Sequence, residues 1–218
     1  MENALNTNMI VFLDAGHGGV DPKTGVYTTD PKQGKLWKHG NDGFHKDGVF
    51  LEGVFNRIMA SKIETILESA GIRVVRVYHK YKDTPLSNRT TIANTYHKLV
   101  QQGIYLSIHA NSSPEPGKAR GACVLTSLGK TESDNIAALI IKHINKDIPV
   151  LARLYHTFEQ NLHVLKYTDM PSILLEAAFF DNYEDAKLLM QDSIQNNLAA
   201  AVAKGIIEHI KLTPKWLL

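Results

Sequence analysis

Met9-Ile-Val-Phe-Leu-Asp-Ala-Gly-His-Gly-Gly19 is the stretch whose reading decides the fold. Ile10 to Leu13 are apolar without a break, and turn-forming glycines follow at once. That pattern is a buried strand that stops abruptly. His17 therefore stands just past the C-terminal end of a strand. In open α/β sheets that edge is where ligands bind, and the flanking glycines allow close approach to the imidazole.

Working outward, a polar segment from Val20 to Phe50 follows, longer than most loops of compact domains. Within it, 25–29 and 35–39 read as a small hairpin, and Tyr27, Trp37 and Phe44 as its groove-facing aromatics. From Glu52 the spacing becomes helical, with Phe55, Ile58, Met59, Ile63, Ile66, Leu67 and Ala70 on one face and Gly71 as the stop. Ile72 to Tyr78 reads as a strand. Thr84 to Gly103 reads as a second helix with Leu86, Ile92, Ala93, Tyr96, Leu99 and Val100 as its apolar face. Ile104 to His109 is a third strand that, like the first, ends on a histidine.

Beyond the turn-rich Ser112 to Gly117, Ala119 to Ser127 reads as a strand and Ile136 to Ile148 as a helix closed by Pro149. Leu151 to Leu162 gives no clear pattern. Val164 and Leu165 read as a short strand, and Ile173 to Leu175 as a longer one ending at Glu176. Tyr183 to Ile210 reads as one or two helices. Strands alternating with helices predict a single-domain α/β fold over residues 9–211. Its central sheet is expected to be mostly parallel or mixed with helices on both faces, flanked by polar tails at 1–8 and 212–218.

The chain has 218 residues, 44% of them hydrophobic and 21% charged, which suits one substantial core. A net charge of +2 gives no electrostatic footprint for nucleic acid, so none is expected as a partner. The single cysteine, Cys123, sits between apolar neighbours and reads as a buried, inert strand position. Met1 to Asn8 carries no basic segment followed by a long apolar one, so no secretory signal is expected in this chain. No apolar run reaches the roughly 20 residues of a membrane span.

Three polar residues fall at strand ends, His17, His109 and Glu176, and Glu52 opens the first helix. They lie tens of residues apart, so only a shared sheet edge brings them together. Two imidazoles and one carboxylate are the ligand set of several catalytic zinc sites, and a further carboxylate then serves as general base.

The same residues lie in a series of motifs. These are Leu13-Asp-Ala-Gly-His-Gly-Gly19, Leu51-Glu52, Asn88-Arg89 with Ala93-Asn94, Ser107-Ile-His-Ala-Asn111 and Leu174-Leu-Glu-Ala-Ala-Phe-Phe-Asp-Asn182. In this order they resemble the zinc-dependent N-acetylmuramoyl-L-alanine amidases, over essentially Met9 to Lys211. The resemblance implies cleavage of the amide between muramic acid and the first L-alanine of the peptidoglycan stem. It implies His17, Glu52 and His109 as ligands of one Zn2+ ion and Glu176 as the catalytic carboxylate. Arg89 and Asn111 match motif positions, Arg89 equally as a structural ion-pair partner and Asn111 as a bond to the loop after its strand. Asp14 is expected to orient a ligand histidine.

Two features depart from the family pattern. Gly53 follows Glu52 where many members have lysine, and the Val20 to Phe50 insertion brings His39 and His45, which no ligand spacing supports as competitors for the metal. The histidines at 79, 97, 143, 156, 163 and 209 read as surface or packing residues, with a place along the groove as the alternative for His156 and His163, which precede the Glu176 strand. Some members carry an inhibitory helix after the Ser-Ile-His-Ala-Asn motif; here only Ser112 to Arg120 intervenes, so no activator protein is expected. Two other readings stand beside the amidase: a zinc peptidase or carboxypeptidase acting on stem peptides, and a wall-binding module without catalysis. Action on the periplasmic or cell-wall side would need assisted release, as for a phage lysin, or a signal outside this chain.

Overall fold

A computed structural model describes residues 5, 8–40, 43–154 and 157–213. Strand β1 (Ile10–Ala15) is fully buried along its length, as its unbroken apolar run requires. Short β2 (Leu36–Lys38) and β3 (Val49–Leu51) then form an antiparallel pair that leads directly into α1 (Glu52–Ser69). The chain continues through β4 (Arg73–Arg76), α2 (Leu86–Val100), β5 (Gly103–Asn111), β6 (Cys123–Thr126) and α3 (Glu132–Asp147). After a 3-10 turn at Pro149–Leu154 come β7 (Thr157–Glu159), α4 (His163–Lys166), β8 (Ser172–Phe179), α5 (Tyr183–Leu189) and α6 (Asp192–Leu212).

The central sheet has six strands in the order β4-β1-β5-β8-β6-β7. The first four run parallel; β6 is antiparallel to β8, and β7 is parallel to β6. This is the mixed α/β sheet expected from the alternation of strands and helices. Its two faces are covered unequally. Val11, Leu13, Leu106, Ile108, Ile173 and Leu175 pack on α1, α3 and α6. Each fully buried side chain of that kind contributes about 1.5–3 kcal/mol. The opposite face, with Phe12, Tyr105, Cys123 and Leu174, meets a smaller cluster that includes Ala93, Val164 and Leu165. The less covered face is the one that stays open for chemistry.

Several local expectations are corrected. The hairpin does not close within 25–39, because Asp30 caps a 3-10 turn at Pro31–Gln33 and Gly34 ends it at φ 66°. β2 therefore finds its partner later, in β3. Val164 and Leu165 lie in α4 rather than a strand; two adjacent buried apolar residues carry no periodicity to tell the two apart. On α2, Leu86, Ile92, Tyr96 and Leu99 are exposed, and the buried residues are Arg89, Thr90 and Ala93. The helix is rotated so that Arg89 faces the sheet, where buried Asp14 needs a counter-charge. Cys123 is buried as expected, and burial pushes its thiol up to about 12. Leu5 is tied to the α1 end by its N–H to the Ala70 carbonyl, at 2.9 Å.

Candidate metal centre

The site forms where β1, β5 and β8 end side by side. Strand periodicity aligns its polar groups: Asp14 pairs in register with Ser107, and His109, two residues on, pairs with Glu176. Alternation then puts all four on the thinly covered face. The Glu52 side chain, at the first position of α1, reaches the same place from the other side of the β1 loop.

Donor atoms of His17, Glu52 and His109 all lie within 4.8 Å of one another. Glu52 Oε1 is 2.9 Å from His109 Nδ1 and 3.3 Å from His17 Nε2. The two imidazoles meet edge to face, with centroids 5.0 Å apart. His17 Nε2 is covered and has no hydrogen-bond partner of proper geometry. Zinc–ligand bonds of about 2.0–2.1 Å in a tetrahedron place donor atoms about 3.3 Å apart. The spacing, the unsatisfied nitrogen and the two-imidazole, one-carboxylate chemistry all fit one zinc ion.

Electrostatics agree with that arrangement. Burial alone would raise the Glu52 carboxyl, but the His109 hydrogen bond and the close His17 and His109 imidazoles outweigh it and hold the group well below the usual carboxylate range. Burial lowers His17, so its imidazole stays neutral, the form that binds metal. For His109 burial is opposed and exceeded by the bond and charge of Glu52, and its pKa rises. Glu176 differs from all three. Burial drives its carboxyl up to about 7, with the Glu52 charge adding to the shift while His109 and Lys35 oppose it. Its Oε2 is covered and without a partner.

The backbone around His17 is held in a conformation it would not choose. His17 has φ 61°, in the left-handed region that is uncommon for residues other than glycine. Its carbonyl accepts from Arg57 Nη2 at 2.8 Å and Arg89 Nη2 at 3.1 Å. The Gly16 carbonyl accepts from Asn56 Nδ2 at 3.1 Å. A Cβ at Gly16 would lie 2.1 Å from the His109 ring, so only glycine lets that imidazole seat. A Cβ at Gly53 would lie 1.8 Å from the Gly18 carbonyl oxygen, which explains why a lysine is not tolerated there. A positive charge nevertheless reaches Glu52: Lys35 Nζ is 3.5 Å from its Oε2.

The remaining expected residues fall in the supporting layer. Asp14 does not orient a histidine; its carboxylate accepts from Arg89 Nη1 and from Ser107 Oγ. Arg89 is 1% exposed and also bonds the Ala15 and Thr84 carbonyls, so it is the ion-pair partner that anchors the loop. Asn111 Oδ1 accepts from the Ser112 N–H, fixing the loop after β5. His39 and His45 are committed elsewhere, His39 Nε2 to the Phe180 carbonyl and His45 Nδ1 to the Leu51 N–H. His163 Nε2 lies 3.3 Å from Thr90 Oγ1, and His156 lies outside the described residues.

Asn56, Arg57 and Lys35 were not singled out from the sequence. Asn56 shows the one usable signal, its position four residues after Glu52 on the same helix face.

A cleft of about 480 Å³ opens beside His17 and His109. Thr28, Asp30 and Gln33 of the insertion, Asp83 and Thr84 before α2 and Leu86 at its first position line it. The family model for N-acetylmuramoyl-L-alanine amidases matches residues 11–208. The chain belongs to the N-acetylmuramoyl-L-alanine amidase family. As a member it is an enzyme, an amide hydrolase of peptidoglycan. It is 27% identical over 217 residues to an endolysin of Bacillus phage SPP1, covering 94% of this chain and 68% of that protein. To the amidase AmiA of Salmonella typhimurium it is 26% identical over 245 residues, covering 92% and 75%. The solved amidase of Clostridium difficile 630 superposes with a TM-score of 0.74 at 22% identity, over 94% of this chain and 98% of that one. That likeness supports the fold.

Proposed function

We propose that this amidase is zinc-dependent, with His17, Glu52 and His109 holding one ion and Glu176 acting as the proton carrier. The observation that carries the reading is the convergence of three metal-type donors beside a separate, unpaired carboxyl. When bound, zinc supplies a Lewis acid for the scissile carbonyl and lowers the pKa of a water to about 7.

Glu176 takes the proton of the attacking water and returns it to the amide nitrogen as the C–N bond breaks. The muramic lactyl group leaves as a carboxylate and the peptide as a free amine on L-alanine. A carboxyl with a pKa near 7 suits both transfers, since general acid–base catalysis works best when the pKa lies near the working pH. Arg57 and Arg89 keep the His17 carbonyl fixed, and with it the ring that faces Glu52. The substrate is cell-wall peptidoglycan, and no helix among the described residues is long and apolar enough to cross a membrane.

Between β5 and β6 the chain forms turns and no helix that would plug the site. Hydrolysis should therefore proceed without a protein activator. Mass spectrometry of purified peptidoglycan digested by zinc-loaded protein tests both points. Stem peptides bearing a free N-terminal alanine, with glycan strands left intact, are the expected products. Shortened peptides still attached to sugar would overturn the reaction assignment. Near-zero basal release that rises strongly on adding a wall-associated protein would overturn the independence from an activator.

A further inference from the structure

Lys35 enters the site through backbone pairing. The β2–β3 register, Leu36 with Leu51, sets Lys35 opposite Glu52, and the Glu52 N–H donates to the Lys35 carbonyl at 3.2 Å. Tyr27 clamps the same point, its hydroxyl donating to the Lys35 carbonyl at 3.1 Å and accepting from the Gly53 N–H at 2.9 Å. The ammonium is thereby delivered beside a fully covered carboxylate while the lysine side chain keeps 30% of its exposure.

Among the described residues three cations surround the site, and two are already committed. Arg57 donates to the carbonyls of Gly53, His17, His79 and Lys80, and Arg89 to Asp14 and three carbonyls. Lys35 Nζ stands 3.5 Å from Glu52 Oε2, longer than a good N–H···O bond, and it has three N–H donors. The two Glu52 oxygens divide the space: Oε1 meets both imidazoles and Oε2 meets Lys35. The lysine thus meets Glu52 on the oxygen that the imidazoles leave open.

Its partner changes with metal. A divalent cation among His17, Glu52 and His109 takes up the single negative charge of Glu52, and the ammonium is left beside a net positive centre. An anion is then the group that satisfies it. Resting on the amidase reading above, we infer that Lys35 binds a substrate carboxylate near the scissile amide and selects acidic stem peptides.

The test uses two muropeptides identical except that one stem carboxylate is free in the first and amidated in the second. Wild-type, zinc-loaded enzyme should favour the free acid by about tenfold in kcat/KM, the size of a charge-assisted contact. In Lys35→Gln that ratio should fall close to one, and Lys35→Arg should restore most of it. Zinc affinity, read by competition with a chromophoric chelator, should increase about tenfold in Lys35→Gln because a nearby positive charge is gone. In wild type the preference should shrink as salt rises, a readout that needs no variant. Equal cleavage of both substrates by wild type, or a preference that survives in Lys35→Gln, overturns the assignment. So does an equal fall in kcat on both substrates, which would place the ammonium at the reacting carbonyl. If wild type binds zinc yet releases no peptide from either substrate, the amidase reading itself fails, and this outcome is distinct from the others.

Discussion

His17, Glu52 and His109 touch one another and are braced from behind, whereas Glu176, on the neighbouring strand, is held by its backbone alone. The Glu52 carboxylate meets both imidazoles, and Asn56, Arg57 and Arg89 bind the peptide groups on either side of His17. Glu176 keeps one covered oxygen without a partner. The difference is physical in origin. A ligand group must be pre-set, so its surroundings fix its position. A proton carrier must exist in both states, and a burial-raised pKa with no fixed partner achieves that.

Replacing the proton carrier separates the two regions most sharply. Glu176→Gln should lower kcat by about 10²–10⁴-fold, while zinc affinity stays within a few-fold of wild type. Loss of zinc in that variant would merge the two regions into one. Next in size is the brace. Arg89→Met leaves Asp14 buried without its counter-charge, and equilibrium denaturation should show a loss of about 3–5 kcal/mol. A change below about 1 kcal/mol would mean that the His17 loop holds itself.

The smallest effect concerns pH in the metal-free protein. The Glu176 pKa is raised from an ordinary 4.5 to about 7, so the folded state binds the proton more tightly than the unfolded one. Its contribution is fully present below about 4.5 and is lost as pH rises through about 7. Glu176→Gln escapes that loss. It should exceed wild type by about 3 kcal/mol at pH 8, with the gap closing toward pH 4, as measured by denaturation at each pH. A gap that widens toward low pH would contradict the raised pKa.

Much of this was legible in the chain. The run Ile10 to Leu13 ending at Gly16-His17, and the Ser107 to Asn111 and Leu174 to Glu176 strands, placed three polar residues on one sheet edge because strand ends and turn glycines are local signals. What sequence alone did not give depends on contacts between distant segments. Lys35 acquires its place only through the β2–β3 register, and Arg57 only because α1 lies under the His17 loop. The rotation of α2 was misjudged for a similar reason. Leu86, Ile92, Tyr96 and Leu99 look like a buried face by periodicity, but a buried Asp14 elsewhere in the chain turns Arg89 inward. Asp14 is expected to orient a ligand histidine, but its side chain points with the strand toward Ser107 and Arg89.

The most direct test is a crystal structure of the zinc-soaked protein with anomalous data collected across the zinc edge. The account predicts one anomalous peak per chain, about 2.0–2.2 Å from donor atoms of His17, Glu52 and His109, with Glu176 close by but uncoordinated. A peak on Glu176, or on His39 or His45 in place of the triad, would contradict it.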